Sequence, residues 1–94
     1  MAGSLRFRLL TPAGEAYSGS CDYAELTAKD DAGGRGGGSL GIRRGHLPAV
    51  VALEEGGRVR VSLEGETIYT AQVRGGFARV TREEVTVLTP EVLA

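Results

Sequence analysis

Tryptophan is absent, and cysteine, histidine and methionine occur once each in the 94 residues. The lone Cys21 can close no internal disulfide and build no thiolate zinc site, so a reducing compartment suits the chain best. The lone His46 leaves a metal centre short of ligands, because mononuclear zinc takes several His, Cys or carboxylate donors. No metal and no cofactor is expected. An excess of one charge is lacking too: 11 Lys and Arg against 12 Asp and Glu give a formal net charge of -1, whereas nucleic-acid binding calls for clustered positive charge. No run approaches the roughly 20 apolar residues of a membrane span. The opening MAGSLRFRLL has neither the long apolar core nor the small-residue cleavage site of a signal peptide.

What the chain does have is alternation and glycine. Its length suits one domain, 1–94, with a single core. In Leu5-Arg6-Phe7-Arg8-Leu9 the apolar residues share one face. In Arg58-Val59-Arg60-Val61-Ser62-Leu63-Glu64 the inward set is Val59, Val61 and Leu63. Both patterns describe half-buried strands. Glu66 to Arg74 reads as another, with Tyr69, Ala71 and Val73 on its apolar side, and Phe77 to Val80 and Glu84 to Thr89 complete the series. Tyr17 to Ala28 is strand-like throughout, and Pro48 to Gly56 is open to a short helix or a strand, its adjacent valines favouring strand. Turn signals fall at Pro12-Ala13-Gly14, Gly56-Gly57, Gly65 and Gly75-Gly76. Short strands with frequent turns and no useful helical period predict an all-β, two-sheet β-sandwich of mostly antiparallel strands. The low-complexity stretch Asp30 to Gly38 predicts an exposed loop.

The candidate chemistry is thin. Gly36-x-Gly38-x-x-Gly41 has the spacing of a dinucleotide-binding turn, but that turn needs a strand before it and a helix N-terminus after it. Gly45 and Pro48 forbid the helix, and no lysine follows the glycines as a phosphate-binding loop requires. Asp30-Asp31 offers too few oxygen ligands for calcium. A Cys21–His46 dyad is a formal possibility for a small hydrolase, although a thiol inside a strand is more often packed than reactive. Arg43 and Arg44 read either as a solvated loop or as an anion or partner contact.

Taken in order, several motifs resemble the epsilon subunit of F-type ATP synthases. Phe7 to Gly19 is similar to that family's opening strand, T-P-x-G turn and aromatic-Ser-Gly. Gly38-Ser39-Leu40-Gly41-Ile42-Arg43-Arg44-Gly45-His46-Leu47-Pro48 resembles its G-E-[LI]-G-[VI]-x-P-G-H-A-P loop. Gly75-Gly76-Phe77-Ala78-Arg79-Val80 followed by Val85-Thr86-Val87-Leu88 is similar to its closing G-G-F-x-x-V and V-T-V-L. The resemblance implies a β-sandwich and a non-catalytic central-stalk subunit of a proton- or sodium-translocating synthase. Such a subunit couples the turning c ring to the gamma subunit, within a complex that also holds alpha, beta and delta. It implies a peripheral position at the cytoplasmic face of the membrane. The residues it points to as a docking loop are Ser39, Leu40, Ile42, Arg43, Arg44, His46 and Pro48.

The chain departs from the family pattern at the acidic residue of G-E-L-G, which is Ser39, at the hydrophobic-Pro pair, which is Arg43-Arg44, and after His46, where Leu47 replaces alanine. These changes imply altered charge complementarity with the c ring. The family commonly continues into a helical hairpin with inhibitory and, in some members, ATP-binding roles. Pro90 to Ala94 is too short for one, so those roles are not expected of this polypeptide. The rival reading is an unrelated β-sandwich module for a small ligand or carbohydrate, which would show an exposed aromatic platform. Tyr17, Tyr23, Tyr69, Phe7 and Phe77 mostly fall where side chains should pack inward.

Overall fold

The computed structural model describes residues 4–29 and 38–93, and all its regular structure is β-strand. Asp30 to Gly37, and with it Asp30-Asp31 and the first glycine of the Gly36-x-Gly38-x-x-Gly41 spacing, lies outside the described residues. The strands are β1 (Leu5–Thr11), β2 (Gly14–Cys21), β3 (Tyr23–Ala28), β4 (Gly38–Ile42), β5 (Ala49–Ala52), β6 (Glu55–Leu63), β7 (Glu66–Arg74), β8 (Phe77–Val80) and β9 (Glu84–Leu88). They form a five-stranded sheet in the order β2-β1-β9-β8-β5 and a four-stranded sheet in the order β4-β3-β6-β7. Every pairing is antiparallel except β1 with β9, which is parallel.

Alternation builds the core. Leu5, Phe7, Leu9, Ala78, Val80, Val85 and Val87 point inward from the first sheet, and Ala24, Leu26, Ile42, Val59, Val61, Ala71 and Val73 from the second. Each large side chain removed from water in this way contributes about 1.5–3 kcal/mol. Tyr17 and Tyr69 stack across the two sheets at 4.0 Å between ring centroids and 7° between planes, closing one border of the core.

The reading of Pro48 to Gly56 as strand rather than helix holds, as β5 running on towards β6. Two finer expectations do not hold, and two hold with a qualification. Tyr17 to Ala28 is two strands in different sheets, broken at Asp22, whose N–H donates to the Ser62 carbonyl at 3.1 Å. Gly56-Gly57 forms the expected turn, closed by the Gly57 N–H donating to the Glu54 carbonyl at 2.9 Å, but the turn lies at the start of β6 and carries a bulge, the register against β7 shifting between Glu55 and Gly57. A second shift, between Val61 and Ser62, has its extra residue, Ile68, in β7. Ser62 stays paired with Tyr23 on the outward face although it is buried there, and Leu63 keeps its expected inward phase but is only half-buried at the strand's end. Phe77, also expected inward, is 57% exposed. The turn at Glu64-Gly65 does form as expected, with φ of 52° and 82°, the paired positive values of a two-residue hairpin.

Candidate functional site

The loop from Ser39 to Pro48 leaves β4 in one sheet and enters β5 in the other. Its entry is set by Gly41. A Cβ there would stand 2.8 Å from Cε1 of Tyr23, so the absence of a side chain lets the Tyr23 ring lie flat against β4. The Arg43 guanidinium then covers that ring at 4.6 Å from its centroid, a cation–π contact worth about 0.5–1 kcal/mol at an exposed site. Further along, Gly45 donates its N–H to the Arg82 carbonyl at 2.7 Å, and His46 donates its own to Arg43 at 3.2 Å. Gly45 reaches this geometry at φ 88°, open to glycine at little cost. The loop is therefore tied to the β8–β9 turn rather than free. Arg44 adds a long ion pair, 3.7 Å, to Glu83 of that turn.

Not all of the expected docking residues reach the surface. Ser39, Arg43, Arg44 and Pro48 are exposed, and Leu40 and His46 half-buried. Ile42 is fully buried against the core, so its side chain anchors the loop instead of facing outward. His46 directs Nδ1 to the Leu47 carbonyl at 2.7 Å, a local contact. Cys21 is fully buried in β2, and burial pushes its thiol above the ordinary range. That is the reverse of the activation a nucleophilic thiol needs. Among the described residues, no group of three or more His, Cys, Asp or Glu side chains is gathered as metal ligands.

An apolar surface was missed. Ala52, Phe77, Leu88 and Leu10 stand side by side across β5, β8, β9 and β1 on the outward face of the five-stranded sheet. Leu10, Phe77 and Leu88, with Pro12 and Pro90, border an almost wholly apolar hollow of about 510 Å³. Val50 and Leu47, each 71% exposed, extend the apolar surface from β5 into the loop. The signal was in the alternation itself: Phe77 lies two residues from the outward Arg79, and so on the same face. The outward face of the other sheet is polar, carrying Glu25, Thr27, Arg58, Arg60, Thr70 and Gln72.

The model of the family described as ATP synthase, Delta/Epsilon chain, beta-sandwich domain matches residues 4–94. A protein of Frankia casuarinae named ATP synthase epsilon chain is 36% identical over 84 residues, 89% of each chain. Proteins of the same name from Hyphomonas neptunium and Bacillus subtilis are 37% and 33% identical over 97% and 90% of this chain, which spans 62% and 58% of theirs. A chain of the Euglena gracilis mitochondrial ATP synthase OSCP/F1/c-ring structure shares the fold with a TM-score of 0.77 at 20% identity, covering 97% of this chain and 53% of that one. A chain of the Tetrahymena thermophila mitochondrial central stalk/c-ring structure does so with a TM-score of 0.70 at 12% identity, covering 96% and 66%. The ordered motifs, the two-sheet fold and these matches agree, and the chain belongs to the ATP synthase delta/epsilon β-sandwich family.

Proposed function

We propose that this chain is an epsilon-type, non-catalytic subunit of the central stalk of an ion-translocating F-type ATP synthase. There it joins the c ring to the gamma subunit at the cytoplasmic face of the membrane. The observation that carries the reading, beside family membership, is the exposed apolar row Ala52, Phe77, Leu88 and Leu10, running on through Val50 to Leu47 in the loop. Contiguous apolar surface of this kind marks a protein interface in a soluble chain. A stiff sandwich that offers one apolar face and a tethered loop suits an adaptor that transmits torque. The module for a carbohydrate or small ligand fits less well. Phe7 is buried, Tyr17 and Tyr69 cover each other, and Arg43 covers Tyr23, which leaves Phe77 as the exposed ring among the five.

The loop residues Ser39, Leu40, Arg43, Arg44, His46 and Pro48 form the docking contact in this reading, with Ile42 as their buried anchor. Arg43→Glu with Arg44→Glu is expected to lower the stability of the isolated chain by no more than about 1 kcal/mol, since exposed ion pairs and cation–π contacts are worth little. The same pair of changes weakens assembly with gamma and the c ring, most visibly at low ionic strength where screening is least. His46→Ala impairs assembly more than folding. Thermal melts of each isolated variant, paired with reconstitution against gamma and the c ring, test the proposal. Unchanged assembly together with a large fall in melting temperature would make the loop structural and end the docking reading.

A further inference from the structure

Beside the loop, on the outward side of the four-stranded sheet, lies an open cleft of about 570 Å³ bordered by Arg43, Arg44, Arg60, Asp22, Ser4 and Ser62. We infer that this cleft binds a phosphate-type anion through its three guanidinium groups. The donors are largely uncommitted. Arg43 lies over the Tyr23 ring and, among the described residues, has no carboxylate within ion-pair distance. Arg44 meets Glu83 only at 3.7 Å, beyond hydrogen-bond length, with both side chains more than half exposed. Arg60 gives Nε and one terminal nitrogen to Glu25 Oε1, at 3.0 and 2.9 Å, which leaves its other terminal nitrogen free to donate. A planar guanidinium with spare N–H groups matches the oxygens of a phosphate, and the match is bidentate where two lie in plane.

The opposing groups are named and located. Asp22 is the carboxylate that lines the cleft, and its Oδ2 is engaged by the Glu64 N–H at 2.9 Å. Glu25 and Glu83 each hold one arginine from the side. The balance is one of competition, so binding is weak and salt-sensitive. Tyr23 steadies the arrangement, because its ring fixes Arg43 and is itself fixed by the bare backbone of Gly41. With its one aromatic face already covered, the cleft offers no stacking surface for a base, so the ligand is the phosphate group itself. A lipid headgroup and a free phosphate compound share that chemistry.

The test is a titration of the whole isolated chain with inorganic pyrophosphate at low ionic strength, followed by amide chemical shifts. Vesicles of phosphatidylglycerol, and of phosphatidylcholine as control, form a second arm in sedimentation. Saturable shifts centred on Tyr23, Arg43, Arg44, Arg60 and Ser62 are expected. Arg43→Gln with Arg44→Gln should weaken binding by about tenfold or more, since two charge-assisted contacts are lost. Asp22→Asn should strengthen it, because a like charge is removed while an oxygen remains to accept from Glu64. Binding in the pyrophosphate arm alone assigns the site to free phosphate compounds, and binding of the anionic vesicles through the same arginines assigns it to a headgroup. Absence of both, or binding that survives loss of Arg43 and Arg44, overturns the inference. The isolated chain suffices, so failure here leaves the stalk reading untouched.

Discussion

Val61→Asp is expected to unfold most of the protein at neutral pH. Val61 is fully buried in β6, opposite Ala24 on one side and Tyr69 on the other. The core around it is apolar, with no cation to pair an incoming carboxylate. The loss combines about 1.5–3 kcal/mol of buried apolar surface with a desolvation cost of several kcal/mol. A domain of this size holds about 5–15 kcal/mol in all. The buried carboxyl would titrate above its unfolded value, so the unfolded state releases its proton first as pH rises and the damage grows from acid towards neutral. Melts at pH 4 and pH 7 should therefore differ in the variant's favour at pH 4. Leu63→Asp is the comparison that tests depth of burial at the same phase of β6. Leu63 is half-buried at the strand's end and should cost less than half as much, and equal losses would mean that it is packed as deeply as Val61.

Gly76→Ala should be the most damaging of the glycine substitutions. Gly76 sits at φ 107°, outside the range an L side chain adopts readily. Its Cβ would stand 2.9 Å from Cα of Thr89 and closer still to the Leu88 carbonyl oxygen, both parts of a backbone that cannot swing aside. The Gly76 carbonyl meanwhile accepts the Leu53 N–H at 2.9 Å, which fixes the peptide from the other side. Strain and clash together are expected to cost about 3 kcal/mol or more. Gly65→Ala provides the scale: its φ of 82° carries strain, but the space is open, and about 1 kcal/mol is expected. Denaturant midpoints for the two variants decide the matter. Equal losses would mean that conformation alone, and not the contact with β9, explains the second glycine of Gly75-Gly76-Phe77.

The fold was largely legible because its strands alternate cleanly, and the residues that mislead do so for local reasons. Leu63 keeps the inward phase of the alternation but ends β6 and is only half-covered, and the bulge beside it lies in β7 at Ile68, where the sequence carries no mark of it. Gly56-Gly57 was legible as a turn, but not the bulge that comes with it, because glycine serves both. The break at Asp22 hides in a run, Ser20 to Ala28, with no glycine or proline, and what enforces it is a pair of long-range hydrogen bonds, from Asp22 N–H to Ser62 and from Glu64 N–H to Asp22. The loop around His46 was visible as a motif. The apolar face beside it was hidden by the habit of reading every strand aromatic as inward, when Phe77 shares its phase with Arg79.

The parallel pairing of β1 with β9 also bears on synthesis. Arg6 to Leu10 lie beside Glu84 to Leu88, so nearly the first and nearly the last residues of the described chain are neighbours in the middle of one sheet. A ribosome delivers β1 well before β9, with about 70 residues of other strands and loops between them. Until β9 emerges, β1 has β2 alone as a neighbour and β8 has β5 alone, and their inner faces carry Phe7, Leu9 and Val80 without cover. Closure waits on the most distant contact in the sequence, and distant contacts slow folding. Until Glu84 to Leu88 are released, the nascent chain therefore exposes apolar surface of the kind that makes partly folded species prone to aggregate.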